Sequence, residues 1–251
     1  MGKKIVCVGR GGVGKSSFLG GAAFLLHNKS PLLIVDADPD ESLISILGIK
    51  DNLKTISEVL FNIKEGSVSQ DIKNFSLPEK IDYLLQHDAL YEGDFFDFIS
   101  LGIKWSEGCY CQPNNILKGT LGRLEKNYNF VLLDSPAGLE HINRRITNDV
   151  DYLFILLDPS QKSLQGVAKL EKLLKDIKIN CRNTFLVANF RFPEESLRLI
   201  KEKTSLEAIG KLPHDKELEK INLEGKSFSH LDKSSPFLIS LKEILEKTGI
   251  L

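Results

Sequence analysis

The chain has 251 residues, of which 42% are hydrophobic, and its 33 basic and 34 acidic residues leave a net charge of −1. This length and apolar content suffice for a sizeable core, and we expect a single domain over residues 1–251. The balanced charge lacks the basic footprint of a protein that binds nucleic acid or an anionic membrane, so neither partner is expected. No apolar run reaches the roughly 18 residues that span a bilayer, and no targeting segment is evident. We therefore expect a cytoplasmic protein with cysteines as thiols.

The first predicted elements are a buried strand, KKIVCVG, and a helix, SSFLGGAAFLLHN, joined by the segment GRGGVGKSS. This segment satisfies the phosphate-loop pattern G-x-x-x-x-G-K-[ST]. In such a loop the backbone amides hold phosphates at a helix N-terminus, Lys15 reaches the terminal phosphates and the Ser16 hydroxyl binds Mg2+. The sequence therefore predicts nucleotide binding by the loop residues, which are Gly11, Gly12, Val13, Gly14, Lys15, Ser16 and Ser17.

Two aspartates, Asp36 and Asp38, follow the second predicted strand in PLLIVDADPDES. Ligands bind at the carboxyl ends of parallel strands, so both carboxylates are expected near the phosphates. One aspartate suits the positioning of the attacking water, and the other suits the organisation of the Mg2+ shell. The alternative is that they cap a helix that begins near Glu41.

The middle of the chain is less regular. Residues 50–78 are polar and predict short surface helices, KIDYLLQ predicts a strand, and residues 87–111 form a long connection of the kind that is usually functional or mobile. This connection ends with Cys109 and Cys111 on either side of one tyrosine. Two thiolates cannot complete a tetrahedral site, but a two-fold dimer would bring four together, enough for Zn2+, Ni2+ or an iron-sulfur cluster. The alternative is two incidental thiols.

The second half of the chain alternates apolar runs with helical patterns. The predicted strands are NFVLLDS, VDYLFILLD, NTFLVAN and SLEAIGKLP, and the predicted helices are NNILKGTLGRLEKN, SLQGVAKLEKLLKDI and a closing SSPFLISLKEILEKTGIL. Strands that are continuously apolar are covered on both faces. The fold class is therefore α/β, with a doubly wound, mostly parallel sheet flanked by helices, as in P-loop NTPases.

Two of these later strands end in candidate ligands. Asp134 follows FVLLD, where it could bind Mg2+ directly or through water, unless it only terminates a turn. Asn189 closes NTFLVAN, where its amide could read a purine, unless it is a turn residue. The guanine-specific continuation Asn-Lys-x-Asp is absent, since Asn189 is followed by Phe-Arg-Phe, and ATP is favoured over GTP.

Taken together, these segments resemble the deviant Walker A ATPases, the group of MinD and the nitrogenase iron protein. Within that group the resemblance is closest to the nickel-insertion accessory ATPases of carbon monoxide dehydrogenase. It covers nearly the whole chain and rests on GRGGVGKSS, DADPDESL, EGCYCQP, DSPAGLEHINRR, DPSQKSLQGVAKLEKL and LPHDKELEKINLEGKSF.

The resemblance implies a homodimer that hydrolyses ATP with Mg2+. If the matching residues have the same roles as in that group, Lys15 holds phosphate, Asp38 orients water, Ser16 and Asp134 support the metal, and Asn189 reads adenine. The paired C-x-C segments would hold a metal between subunits for insertion into carbon monoxide dehydrogenase or a related client metalloenzyme.

The second loop residue of this group is typically a lysine that reaches the partner's phosphates, and here it is Arg10. Arginine keeps the charge and adds a bidentate fork, so Arg10 is predicted to be catalytic in trans.

Other functions remain open. An ATP-gated [4Fe-4S] reductase would need a cluster cysteine shortly after Asp134, but the next cysteine is Cys181. A MinD-like positioning ATPase would leave the C-x-C pair unexplained. GTPases and unrelated P-loop kinases are the remaining classes.

Overall fold

The structure is a computed structural model that describes residues 2–49, 53–103, 111–136, 149–176, 179–204 and 206–251. The strands are β1 Lys3–Gly9, β2 Leu32–Asp36, β3 Leu90–Glu92, β4 Phe96–Ser100, β5 Phe130–Asp134, β6 Asp149–Leu157, β7 Asn180–Ala188 and β8 Ala208–Lys211. The helices are α1 Lys15–Leu26, α2 Ser42–Leu47, α3 Ile56–Lys64, α4 Leu77–Leu84, α5 Cys111–Leu124, α6 Gln161–Asp176, α7 Leu197–Thr204, α8 Lys216–Leu223 and α9 Pro236–Lys247.

The described strands form one eight-stranded sheet in the order β3-β4-β2-β5-β1-β6-β7-β8. All neighbours pair in parallel except β3 and β4, which are antiparallel. Successive residues of β1 point to opposite faces, with Ile5 in one buried cluster and Val6 in the other. The sheet is therefore covered on both faces, which confirms the predicted doubly wound α/β fold.

The prediction of a strand at KIDYLLQ is wrong, because these residues belong to α4 and to a following π-helical turn, Leu85–Ala89. The helix starts with a capping box, in which the backbone N–H of Ser76 donates to Glu79 Oε2 at 2.8 Å, and has Pro78 in its first turn. These start signals lie just before the apolar run and outweigh its strand-like appearance.

The prediction that residues 87–111 form one connection is also wrong in part, because β3 and β4 lie within it. Asp97 interrupts the apolar run of β4 and hides the strand in the sequence. In the structure its carboxylate accepts a hydrogen bond of 2.5 Å from the Tyr128 hydroxyl, which compensates for the polar residue in the strand.

Other local predictions are confirmed. Within residues 50–78 the structure has the short helix α3, capped by Thr55 and Glu58. The closing helix α9 packs against α1 so closely that a Cβ on Gly21 would lie 2.6 Å from Leu241. No helix in the described ranges is long and apolar enough to cross a membrane.

Candidate functional site

The predicted nucleotide-site residues that the structure describes come together at the carboxyl edge of the sheet. The phosphate loop follows β1, Asp36 ends β2 and Asp134 ends β5. Asp36 and Asp134 are register partners on neighbouring parallel strands, so their side chains leave the sheet side by side. This is the edge at which open α/β sheets bind ligands.

The phosphate loop has a backbone that only glycine adopts easily at two positions. Gly12 has φ of 70° and Gly14 has φ of 102°, both in the left-handed region. These two glycines lie just before α1, which begins at Lys15. Lys15 is 6% exposed, and its Nζ donates a hydrogen bond to the Arg10 carbonyl oxygen at 3.5 Å. The loop is thus preformed, with its amides and its lysine available for anionic oxygens.

Ser16 and Asp134 form the part of the site best suited to a cation. The Ser16 hydroxyl donates to Asp134 Oδ2 at 2.6 Å, while Asp134 Oδ1 is buried and has no hydrogen-bond partner among the residues that the structure describes. Burial raises the pKa of Asp134 to about 6, and the charge of Asp38 adds to this, against the lowering effects of Ser16 and Lys15. An unpartnered buried carboxylate oxygen beside a hydroxyl is a donor set that fits Mg2+.

Asp36 has a different role from Asp134, because both of its carboxylate oxygens are engaged. They accept hydrogen bonds from the backbone N–H of Asp38 at 2.9 Å and of Leu43 at 3.2 Å. Burial and the neighbouring charge of Asp134 raise the pKa of Asp36 well above its usual range. Asp36 therefore fixes the turn after β2, whereas Asp134 Oδ1, which has no hydrogen-bond partner among the described residues, is available to a ligand.

The turn after β2 contains two residues that the sequence analysis missed. Glu41 has a left-handed backbone with φ of 50°, and its half-buried carboxylate accepts a hydrogen bond of 3.1 Å from Ser100 at the end of β4. Burial raises the pKa of Glu41. Ser42 Oγ lies 3.1 Å from Ser16 Oγ. Both contacts join segments far apart in sequence, so only the proximity of Glu41 to the DAD turn could have suggested them.

Arg10 contacts its own chain at the end of β6. Its Nη1 donates to Ser160 Oγ at 2.7 Å and lies 3.5 Å from Asp158 Oδ2. The Arg10 side chain is 47% exposed and that of Asp158 only 9%. No role is predicted for this DPSQ segment from the sequence, although Asp158 follows a buried strand as Asp36 and Asp134 do.

Asn189 borders a cavity of about 380 Å3 beside the phosphate loop. Its Oδ1 accepts a hydrogen bond from the Arg191 backbone N–H at 3.1 Å, and its buried Nδ2 has no hydrogen-bond partner within the described ranges. The Asn189 side chain thus has an N–H available to donate a hydrogen bond to a purine ring nitrogen. Further residues that line this cavity are Gly12, Gly14, Ser17, Phe190, Pro213, His214 and Leu223.

The predicted thiolate pair cannot be placed in full. Cys109 lies outside the described residues, and of Cys111 only the backbone is described, at the first residue of α5. In the described part of the chain, no group of three or more His, Cys, Asp and Glu side chains is arranged to hold a metal ion.

Comparison with known proteins identifies the family. A family model described as an AAA domain matches residues 3–187. The chain belongs to this ATPase family. It is 33% identical over 248 residues to an uncharacterized ATP-binding protein of Methanocaldococcus jannaschii, with 97% of each chain covered.

Two further similarities concern function and fold. The carbon monoxide dehydrogenase accessory protein CooC of Rhodospirillum rubrum is 29% identical over 263 residues, covering 98% of this ATPase and 97% of CooC. The septum site-determining protein MinD of Pyrococcus horikoshii, complexed with Mg-ADP, superimposes with a TM-score of 0.69 at 18% identity, covering 99% and 96% of the two chains. The prediction of an ATPase with the MinD-like P-loop fold is confirmed.

Proposed function

We propose that this ATPase is a homodimeric metallochaperone, which binds a thiophilic metal ion between its subunits and delivers it to a client metalloenzyme such as carbon monoxide dehydrogenase. The observation that carries the proposal is the similarity to CooC over 98% of the chain, together with the C-x-C segment at residues 109–111. The cargo would be Ni2+, and the same thiolate site could also bind Zn2+, which is likewise a thiophilic ion.

The course of the chain supports a link between the thiolate pair and the nucleotide. β4 and β5 both run parallel to β2, and α5 lies between them in the sequence. A crossover helix between parallel strands starts at the carboxyl edge of the sheet and returns to the opposite edge. Cys111, the first residue of α5, is therefore on the edge that carries the phosphate loop.

The described residues support Mg2+-dependent ATP hydrolysis at this edge. The loop amides and Lys15 would hold the phosphates, Ser16 and Asp134 Oδ1 would hold the metal, and Asp36 would organise the surrounding shell. Bound Mg2+ would supply positive charge to the β- and γ-phosphates. Asp38, which is partly exposed on the turn fixed by Asp36, orients the attacking water, and the Asn189 amide donates to adenine.

Dimerisation would complete the site. Arg10 has a half-exposed side chain and a permanent charge, and we propose that it contacts the phosphates of the nucleotide bound to the partner. ATP would then draw the two subunits together and change the separation of their C-x-C segments, so that hydrolysis drives capture or release of the metal.

The test is to purify the protein anaerobically and to measure Zn2+ and Ni2+ per dimer with and without ATP. We expect a protein that is colourless before Ni2+ is added and that binds one metal per dimer, and the double variant Cys109→Ala/Cys111→Ala should bind none. Cys181→Ala is the matched control, because Cys181 is a half-buried thiol near the start of β7, at the other edge of the sheet.

Different results would contradict the proposal in distinguishable ways. A broad absorbance near ~400 nm before Ni2+ is added, lost in the double variant, would indicate a cluster and an ATP-gated reductase. If wild type and the double variant bound the same amount of metal, the proposed thiolate site would be refuted and a positioning ATPase would be favoured.

A further inference from the structure

In the part of the chain that the structure describes, the guanidinium group of Arg10 forms hydrogen bonds along one edge only. Both contacts, to Ser160 Oγ at 2.7 Å and to Asp158 Oδ2 at 3.5 Å, are made by Nη1. Within the described ranges, no other residue forms a hydrogen bond with Nε or Nη2. The group is therefore fixed to its own chain through Nη1, and Nε and Nη2 belong to a side chain that is 47% exposed.

The residues that fix Arg10 are themselves held firmly. The Ser160 backbone N–H donates to Asp158 Oδ1 at 3.0 Å, and Ser160 Oγ accepts from the Ser163 N–H at 3.2 Å in the first turn of α6. The Asp158 N–H in turn donates to Ser163 Oγ at 3.2 Å. These bonds connect the end of a central strand to the start of a helix, so the anchor for Arg10 is rigid.

We propose that Asp158 and Ser160 are positioning residues that hold the Nη1 corner of Arg10 and thereby aim its free edge at the nucleotide bound to the partner subunit. This inference rests on the proposed action of Arg10 in trans. Guanidinium is planar, with donors on several edges, so one edge remains available to phosphate oxygens while another is bound. Orienting the group before the subunits meet reduces the freedom lost on dimerisation.

The anchor also gives a physical reason for arginine at this position. The ammonium group of a lysine is a single centre on a flexible stem. It would either bind Ser160 and Asp158 or reach the partner's phosphates. Arginine can do both at once, and the function of Arg10 therefore depends on Asp158 and Ser160.

The experiment measures kcat, KM for ATP and the ATP-dependent dimer fraction for wild type and Ser160→Ala, Ser160→Thr, Asp158→Asn, Arg10→Ala, Arg10→Lys and Arg10→Ala/Ser160→Ala. Arg10→Ala should lower kcat by about 10^3, as for arginines that act in trans. Ser160→Ala and Asp158→Asn should lower kcat about tenfold with little change in KM, as expected for loss of a hydrogen bond to a charged group. Ser160→Thr keeps the hydroxyl and should behave as wild type.

The double variant separates positioning from structure. Arg10→Ala/Ser160→Ala should be no slower than Arg10→Ala, because Ser160 acts through Arg10. Arg10→Lys should be slower than wild type. The inference would be overturned if the loss of kcat in Ser160→Ala added in full to the loss in Arg10→Ala. It would also be overturned if Ser160→Ala turned over ATP as fast as wild type or faster, because the contact would then have no effect on Arg10 or would restrain it. Wild-type turnover and dimerisation of Arg10→Ala would instead refute the trans role itself.

Discussion

The carboxyl group of Asp134 is positioned to bind a cation, and this position lowers the stability of the protein when no metal or nucleotide is bound. It is fully buried, lies near Asp36 and Asp38, and has one oxygen without a hydrogen-bond partner in the described part of the chain. Its pKa of about 6 means that the folded protein disfavours the charged form that the ligand requires. The site thus stores an electrostatic penalty that a cation relieves.

Replacing this carboxylate should stabilise the empty protein and inactivate it. Because the folded pKa lies about two units above the unfolded value, the charged side chain costs about 3 kcal/mol of unfolding free energy above pH ~6, and nothing below pH ~4. We expect Asp134→Asn to be more stable than wild type at pH 7.5 in EDTA, with an advantage that disappears as the pH falls to about 4. Mg2+-dependent ATP turnover should be lost.

Urea unfolding between pH 4 and 8 measures this difference. Asp40→Asn is the control, since Asp40 is an exposed acid on the turn after β2 and should change stability little at any pH. A stability difference between Asp134→Asn and wild type that is independent of pH would contradict the assignment of the cost to the buried charge.

At the scale of elements, one carboxylate caps two helices. Asp215 Oδ1 accepts from the backbone N–H of Glu217 and Leu218 in α8, at 2.9 and 3.1 Å. Its Oδ2 accepts from the Ser235 hydroxyl at 2.5 Å and the Phe237 N–H at 3.3 Å at the start of α9. Burial raises the pKa of Asp215, but these hydrogen bonds outweigh it and lower the pKa below its usual value.

Loss of this shared cap should destabilise both helices. Each N-cap is worth about 1 kcal/mol, and a buried hydroxyl left without its partner costs about 1 kcal/mol or more. We expect Asp215→Ala to lower the unfolding free energy by about 3 kcal/mol and to weaken ATP binding, because Asp215 also lines the cavity beside the loop. Denaturant unfolding and nucleotide titration measure the two effects.

Glu243→Ala is the matched control, because Glu243 is an exposed carboxylate on α9 and its loss should change stability by less than about 0.5 kcal/mol. If Asp215→Ala were as stable as this control, the two helices would not depend on the shared cap.

The elements that the sequence predicted well are those whose pattern is local. Buried parallel strands are continuously apolar, and the polar residue that ends each run, such as Asp36 or Asp134, lies at the ligand edge. β4 was missed because Asp97 breaks its run and is compensated only by distant Tyr128. The Arg10 anchor and the Glu41 contact with Ser100 join residues 150 and 59 positions apart, and no local pattern encodes such pairs.

For the whole molecule, the proposed function requires that ATP joins two chains and that hydrolysis separates them. A variant that binds ATP without hydrolysing it should therefore accumulate as a dimer. Asp38→Ala removes the proposed water-orienting carboxylate and leaves the loop and Asp134 intact. With Mg-ATP we expect light scattering to give twice the mass of the chain, and with ADP the mass of one chain.

The double variant Lys15→Ala/Asp38→Ala is the control for this experiment, because loss of the loop lysine should prevent nucleotide-dependent dimerisation. If Asp38→Ala bound ATP and kept the mass of a single chain, then neither Arg10 nor the C-x-C segment could act between subunits in the way proposed.

Asp36 has a further consequence for the molecule. Besides the amides of Asp38 and Leu43 at its carboxylate, its carbonyl oxygen accepts the Leu101 N–H at 2.8 Å. Three amide hydrogens in separate segments are thus held by one residue, and Leu101 begins the connection toward Cys109. We therefore expect these three amides to exchange with deuterium through a common opening. A nucleotide that rigidifies the turn after β2 should then also slow exchange at Leu101, which it does not contact.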